Sequence, residues 1–123
     1  MQRNKLVPVE YEQVKAKLQL ALVDYDPTAE IQSGDARCYL FNDTALLLRL
    51  EGSELVVVGL TGDAVETSLF LNSAAMQVKG IQSIRFHTKR IALKRLLERH
   101  GLTVEQRGID REDYFILGVN CGR

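Results

Sequence analysis

Residues 81–119 read IQSIRFHTKRIALKRLLERHGLTVEQRGIDREDYFILGV. Ile81–Phe86 is a short strand, and the sequence then turns basic and helical. From about Thr88 to His100 the residues Ala92, Leu93, Leu96, Leu97 and His100 recur on one face, opposite Lys94, Arg95, Glu98 and Arg99. That spacing predicts an amphipathic helix, and Gly101 supplies the left-handed residue that closes it. Leu102–Arg107 and Asp113–Val119 follow as a strand pair. Strand, helix, strand, strand is thus the order of the second half of the chain.

Upstream, Asp63 stands where a helix N-cap belongs, with Glu66 three residues later, a variant of the capping box. Val65, Leu69, Asn72 and Met76 share a stripe that Leu71, Ala75 and Val78 widen, so this helix is expected to be largely buried. Lys79-Gly80 stops it. Before it come three strand-like runs, Asp35–Phe41, Thr44–Leu50 and Glu54–Leu60. Asn42-Asp43 and Glu51-Gly52-Ser53 join them, and connections that short imply an antiparallel meander. LVVVGL in the third run is apolar throughout, as in a central strand covered on both faces. A strand, a buried helix and a strand with tight joins then predict a parallel crossover.

At the start, Lys5 to Val7 reads as a short edge strand. Pro8 suits a first helical turn, with Glu10 and Glu12 favourable near a helix N-terminus. Tyr11, Val14, Leu18, Ala21, Leu22 and Tyr25 recur at helical spacing until Asp26-Pro27 ends the pattern.

The 123 residues give one expected domain, 1–123, with 46% apolar and 26% charged residues and no net charge. No global field therefore favours nucleic acid or a membrane. No apolar run approaches the ~20 residues that span a bilayer. MQRNKLVPVEYE lacks the apolar core of a secretory signal, so a cytoplasmic protein is expected. Cys38 and Cys121 have no metal-type spacing and read as two unrelated thiols in a reducing compartment; no metal site is expected.

The order short strand, helix, three meander strands, helix, strand, helix, two strands resembles the GNAT (acyl-CoA N-acyltransferase) fold over essentially the whole chain. Arg-His-Gly-Leu at 99–102 is similar to that family's Leu-Gly-Phe ending. The opening LVPVEYEQV and the spacing from Arg90 to Gly101 resemble small GNAT-like proteins of phages and prophages. The resemblance implies an α/β (α+β) domain with a mixed, splayed sheet of six to seven strands and three to four helices. It also implies acetyl-CoA as co-substrate, held between the fourth and fifth strands, and a small-molecule or protein amine as acceptor.

The family's Gln/Arg-x-x-Gly-x-Gly/Ala signature corresponds to Leu60-Thr61-Gly62-Asp63-Ala64. Thr61, Gly62, Asp63 and Ala64 are then the expected cofactor cradle, with Arg90 as a phosphate-binding cation. Asp63 sets a carboxylate where a pyrophosphate would lie. Leu97 stands where many members carry a tyrosine acid. The alternative is a GNAT-fold binding or assembly module without catalysis, phage- or prophage-encoded.

Among titratable residues, His87 follows the fifth strand, at the end of an α/β sheet where ligands gather. With Asp63 it would form a general base for an amine, set against a plain strand-to-helix turn capped by Thr88. His100 beside its cap reads as structural. The basic cluster reads as a solvated helix face, with Arg85 and Arg90 as exceptions, so nucleic acid is not expected as a partner. Tyr39, Phe41, Tyr114 and Phe115 read as strand packing. An open edge strand at the C-terminal end allows a homodimer.

Overall fold

In the computed structural model, which describes residues 5–110 and 114–121, the meander turns close as the sequence predicts. Asn42 (φ 54°) and Gly52 (φ 59°) take the left-handed conformation that two-residue hairpin turns require. They join β2 (Ala36–Phe41), β3 (Thr44–Glu51) and β4 (Glu54–Thr61). β1 (Leu6–Val9) adds an outer edge, pairing antiparallel with β2. After α3 (Ala64–Met76) the chain returns as β5 (Ser83–Thr88), parallel to β4. α4 (Ala92–Arg99), β6 (Val104–Ile109) and β7 (Phe115–Asn120) complete it. The sheet order is β1-β2-β3-β4-β5-β7-β6, and every pairing but β4–β5 is antiparallel.

The pleat sends alternate residues to two cores. Phe41, Leu46, Leu48, Val57, Ile84 and Phe86 pack beneath α3 and α4 through Leu71, Ala75, Leu93 and Leu97. Ala36, Cys38, Ala45 and Leu47 pack on the other face beneath α1 (Tyr11–Leu22), through Val14, Leu18 and Leu22. The end of α1 comes close to the sheet at Gly59, where a Cβ would lie 2.8 Å from Leu22 Cδ2. Leu47 pairs with Gly59 and Leu48 with Val57, so Val58 is the extra residue of a bulge. Both cysteines are buried in these cores, and burial pushes the Cys38 thiol pKa up, with Glu10 adding to the shift. Among the described residues no helix is long and apolar enough to cross a membrane.

Several boundaries differ from those read off the sequence. Pro8 lies inside β1, opposite Tyr39, a position an edge strand tolerates. The Gln13 side chain, accepting from Glu10 N at 2.8 Å, opens α1 instead. Tyr25 lies beyond the helix and is exposed. A short helix, α2 (Thr28–Ser33), fills a stretch with no sequence assignment, and Gly34 caps it at φ 87°. β5 runs to Thr88, because Arg85 and His87 alternate with Ile84 and Phe86 and face the side that α1 leaves uncovered. α4 therefore starts four residues later than expected, after a turn in which Thr88 Oγ1 accepts from Arg90 N at 3.0 Å. α3 buries Thr67, Ser68, Leu71 and Ala75, while Met76 and Val78 are about half exposed. The last strand starts at Phe115; the expected start at Asp113 lies outside the described residues.

Candidate functional site

β4 and β5 run together only from Glu54–Ser83 to Val57–Phe86. β4 continues to Thr61 and β5 to Thr88, yet the two no longer pair. A cleft of ≈ 370 Å³ opens there. Its walls are Val58 to Gly62 and Ala64 on one side and Phe86 to Arg90 on the other, with Ala21 and Val23 from the end of α1. A second cavity of ≈ 640 Å³ on the α1 face shares Ala21, Val23, Val58, His87, Lys89 and Tyr114 with it. The sequence expectations therefore converge on one place: Thr61, Gly62, Ala64, His87 and Arg90 all line the cleft.

Asp63 is placed differently. It is the N-cap of α3, its Oδ1 accepting from Glu66 N at 2.9 Å. The carboxylate that holds His87 is Asp110, whose Oδ2 lies 2.7 Å from Nδ1. Asp110 Oδ1 accepts from Tyr114 N at 3.0 Å, so the carboxylate also ties the β6–β7 connection. On the other side of the imidazole, Arg85 Nε donates to His87 Nε2 at 3.1 Å. An arginine donor on Nε2 and a carboxylate on Nδ1 assign the neutral tautomer with its proton on Nδ1. Both ring nitrogens are then engaged.

Arg85 is fixed by two further contacts, to Glu51 and Glu54 at 3.0 Å each. Arg49 bridges Glu51 to Glu30, and Arg107 joins Glu54 from β6. Ser83 Oγ donates to the same Glu54 carboxylate at 2.6 Å. Burial would push the carboxyls of Glu51 and Glu54 up, but the arginines and Ser83 outweigh it, so both titrate below the ordinary glutamate range. The uncovered half of the sheet is thus a chain of paired charges that ends at the imidazole in the cleft.

Tyr114 and Lys89 complete the rim. Tyr114 OH donates to Ala21 O at 3.0 Å, tying the start of β7 to the end of α1, and Lys89 Nζ stands 4.6 Å from the tyrosine ring centroid. Sequence reading missed Asp110 and the tether made by Tyr114. The one signal for this site was the alternation Ile84, Arg85, Phe86, His87, which marks the last two polar residues as strand positions on one face. His100 caps its own helix, with Nδ1 at 2.8 Å from Leu96 O. Among the described residues no cluster of His, Cys, Asp or Glu could hold a metal ion.

Acetyl-CoA fits one half of this cleft and not the other. On the edge facing β5, where pairing has stopped, the backbone of Val58–Thr61 can take the amides of an extended arm, as a sheet edge takes a strand. The diphosphate end would need amides at the start of α3. There, Asp63 N already donates to Thr44 Oγ1 at 3.0 Å, and Glu66 N to the Asp63 carboxylate. Gly62, at φ +142°, lies so tightly on β3 that a Cβ would stand 2.8 Å from Thr44 Cα. Two engaged amides and the Asp63 carboxylate therefore oppose a diphosphate at this helix start. Leu97, at the expected acid position, is fully buried in the α4 core.

No family sequence model and no curated protein matches the chain. Solved structures match it by shape. The ribosomal-protein-S18-alanine N-acetyltransferase of Escherichia coli superposes with a TM-score of 0.56 at 11% identity, over 97% of this chain and 94% of that one. A chimera of spermidine N-acetyltransferase from Vibrio cholerae and hSSAT gives 0.57 at 13%, over 94% of each chain. A GNAT-family acetyltransferase from Streptococcus pneumoniae gives 0.51 at 14%, over 96% of this chain and 99% of that one. Identity this low speaks for shape alone, and the shape is the GNAT acetyltransferase fold, among the described residues a mixed seven-stranded sheet with four helices.

Proposed function

We propose that this protein binds an acyl thioester in the opening between β4 and β5 and transfers the acyl group to an amine. One observation carries the reading. Two adjacent parallel strands stop pairing at Val57 and Phe86 while both continue, which leaves strand backbone facing a cleft of ≈ 370 Å³. Buried strand amides are almost always paired, so an opening of this kind suits an extended, amide-bearing ligand. Likeness in shape to N-acetyltransferases supports the same class of chemistry.

In such a transfer the amine lone pair attacks the thioester carbonyl, the C–N bond forms, the C–S bond breaks, and the thiol leaves with a proton. The chain contributes positioning and exclusion of water. His87, fixed between Asp110 and Arg85, orients the wall of the cleft and is not a free base in this arrangement. A second reading, a binding module without catalysis, is favoured by that engaged imidazole and by the buried Leu97.

Thiol release from acetyl thioesters, followed with and without a panel of primary amines, separates the two. Amine-dependent release above the protein-free rate is expected. Ligand-induced thermal stabilisation without release would leave the binding module standing. Neither stabilisation nor release would overturn both.

A further inference from the structure

Two helices start at this cleft, α3 after β4 and α4 after β5, and a helix start ordinarily attracts anions. At α3 that attraction is opposed from within the chain. The Asp63 carboxylate sits on the first turn and caps Glu66 N at 2.9 Å, and Thr44 Oγ1 occupies Asp63 N at 3.0 Å. Gly62 lies so close to Thr44 that a side chain at this position would collide with it. A buried side-chain hydroxyl near this end is neutral and has no partner. Thr61 Oγ1 is buried with no hydrogen bond, on a residue that lines the cleft.

Resting on the thioester reading above, we infer that the α3 end of the cleft selects a donor by its uncharged pantetheine-type arm and rejects a nucleotide diphosphate there. Asp63 is the residue that sets this preference. The arm's amides can pair with the cleft-facing edge of the Val58–Thr61 backbone. The cations of the cleft, Lys89 and Arg90, stand on the opposite wall after β5, and Lys89 already faces the Tyr114 ring. They attract phosphate while the α3 end repels it, so the two effects have to be separated by substitution at Asp63 itself.

Asp63→Asn does so, because asparagine is as good an N-cap as aspartate and removes only the charge. Calorimetric titration of the full chain with acetyl-pantetheine, acetyl-4′-phosphopantetheine and acetyl-CoA presents the same arm with increasing phosphate. The wild-type protein is expected to bind acetyl-CoA no more tightly than acetyl-pantetheine. Asp63→Asn should tighten acetyl-CoA about fivefold or more, the factor that one repulsion at ~4 Å in water corresponds to, and leave acetyl-pantetheine unchanged. Tightest binding by the single-phosphate compound, with Asp63→Asn tightening acetyl-CoA alone, would support the inference and point to a carrier-borne arm as the source. Acetyl-CoA binding tenfold tighter than acetyl-pantetheine, with no response to Asp63→Asn, would overturn it while leaving the thioester reading intact. No binding of any of the three would overturn the thioester reading itself.

Discussion

Arg107 on β6 reaches Glu54 on β4 at 2.6 Å, across the two strands that lie between them. The crossing works because the strand in its path carries Gly118, where a Cβ would collide with the guanidinium. The Glu54 carboxylate also receives Arg85 and Ser83, so one side chain joins three strands. Glu54→Gln should lower the unfolding free energy by about 2 kcal/mol, the scale of hydrogen bonds to a charged group. Gly118→Ala, which displaces Arg107, should cost a similar amount. Because both act on one contact, the double variant should be clearly less unstable than the sum. Additive losses in urea denaturation would separate the two residues.

The same network sets an acid limit. Glu51 and Glu54 titrate below their ordinary value of 4.5, burial being outweighed by their arginines and, for Glu54, Ser83. The unfolded chain therefore binds more protons than the folded one just below that value, and stability rises with pH there. This contribution is fully present above 4.5 and is lost as pH falls through the depressed folded values. Urea midpoints between roughly pH 6 and pH 3 should show that loss. Glu54, 18% exposed, should carry more of it than Glu51, 40% exposed and better screened. Glu54→Gln should flatten the profile, and an unchanged slope would contradict this account.

Much of the fold was legible because its turns are short. Asn42-Asp43 and Gly52-Ser53 leave β2, β3 and β4 no arrangement but a meander, and the Asp63 cap marks where the crossover helix begins. The site was less legible, for a physical reason. His87 lies in a strand whose outward face is uncovered, so polar residues there look like the start of the next helix. Its partner Asp110 is 23 residues away and arrives only because β7 inserts between β5 and β6. Asp63, adjacent in the simple strand order, is drawn instead to its own helix.

Where α1 ends at the cleft, Val23 takes φ 56° and ψ −105°. A β-branched residue at positive φ is strained by about 1–3 kcal/mol. Val23 is 64% exposed, so little packing offsets that strain. Val23→Gly should stabilise the chain by about 1 kcal/mol, after the greater freedom glycine gains on unfolding. Val23→Ala, which keeps a Cβ, should do much less. Equal effects of the two in thermal unfolding would show that side-chain removal, not backbone relief, is responsible.

Tyr114 holds that strained end from across the cleft, through its hydroxyl on Ala21 O. Tyr114→Phe removes this one bond and keeps the ring beneath Lys89, so the cation–π contact at 4.6 Å should survive. Global stability should fall by about 1 kcal/mol, the usual net worth of a neutral hydrogen bond. The local effect should be larger. Amide exchange should quicken at Val23 to Asp26, which follow the released carbonyl, while the amides of β2 and β3 beneath α1 stay protected. Uniform quickening throughout the chain would mean that Tyr114 contributes only to overall stability and does not tether the wall of the cleft.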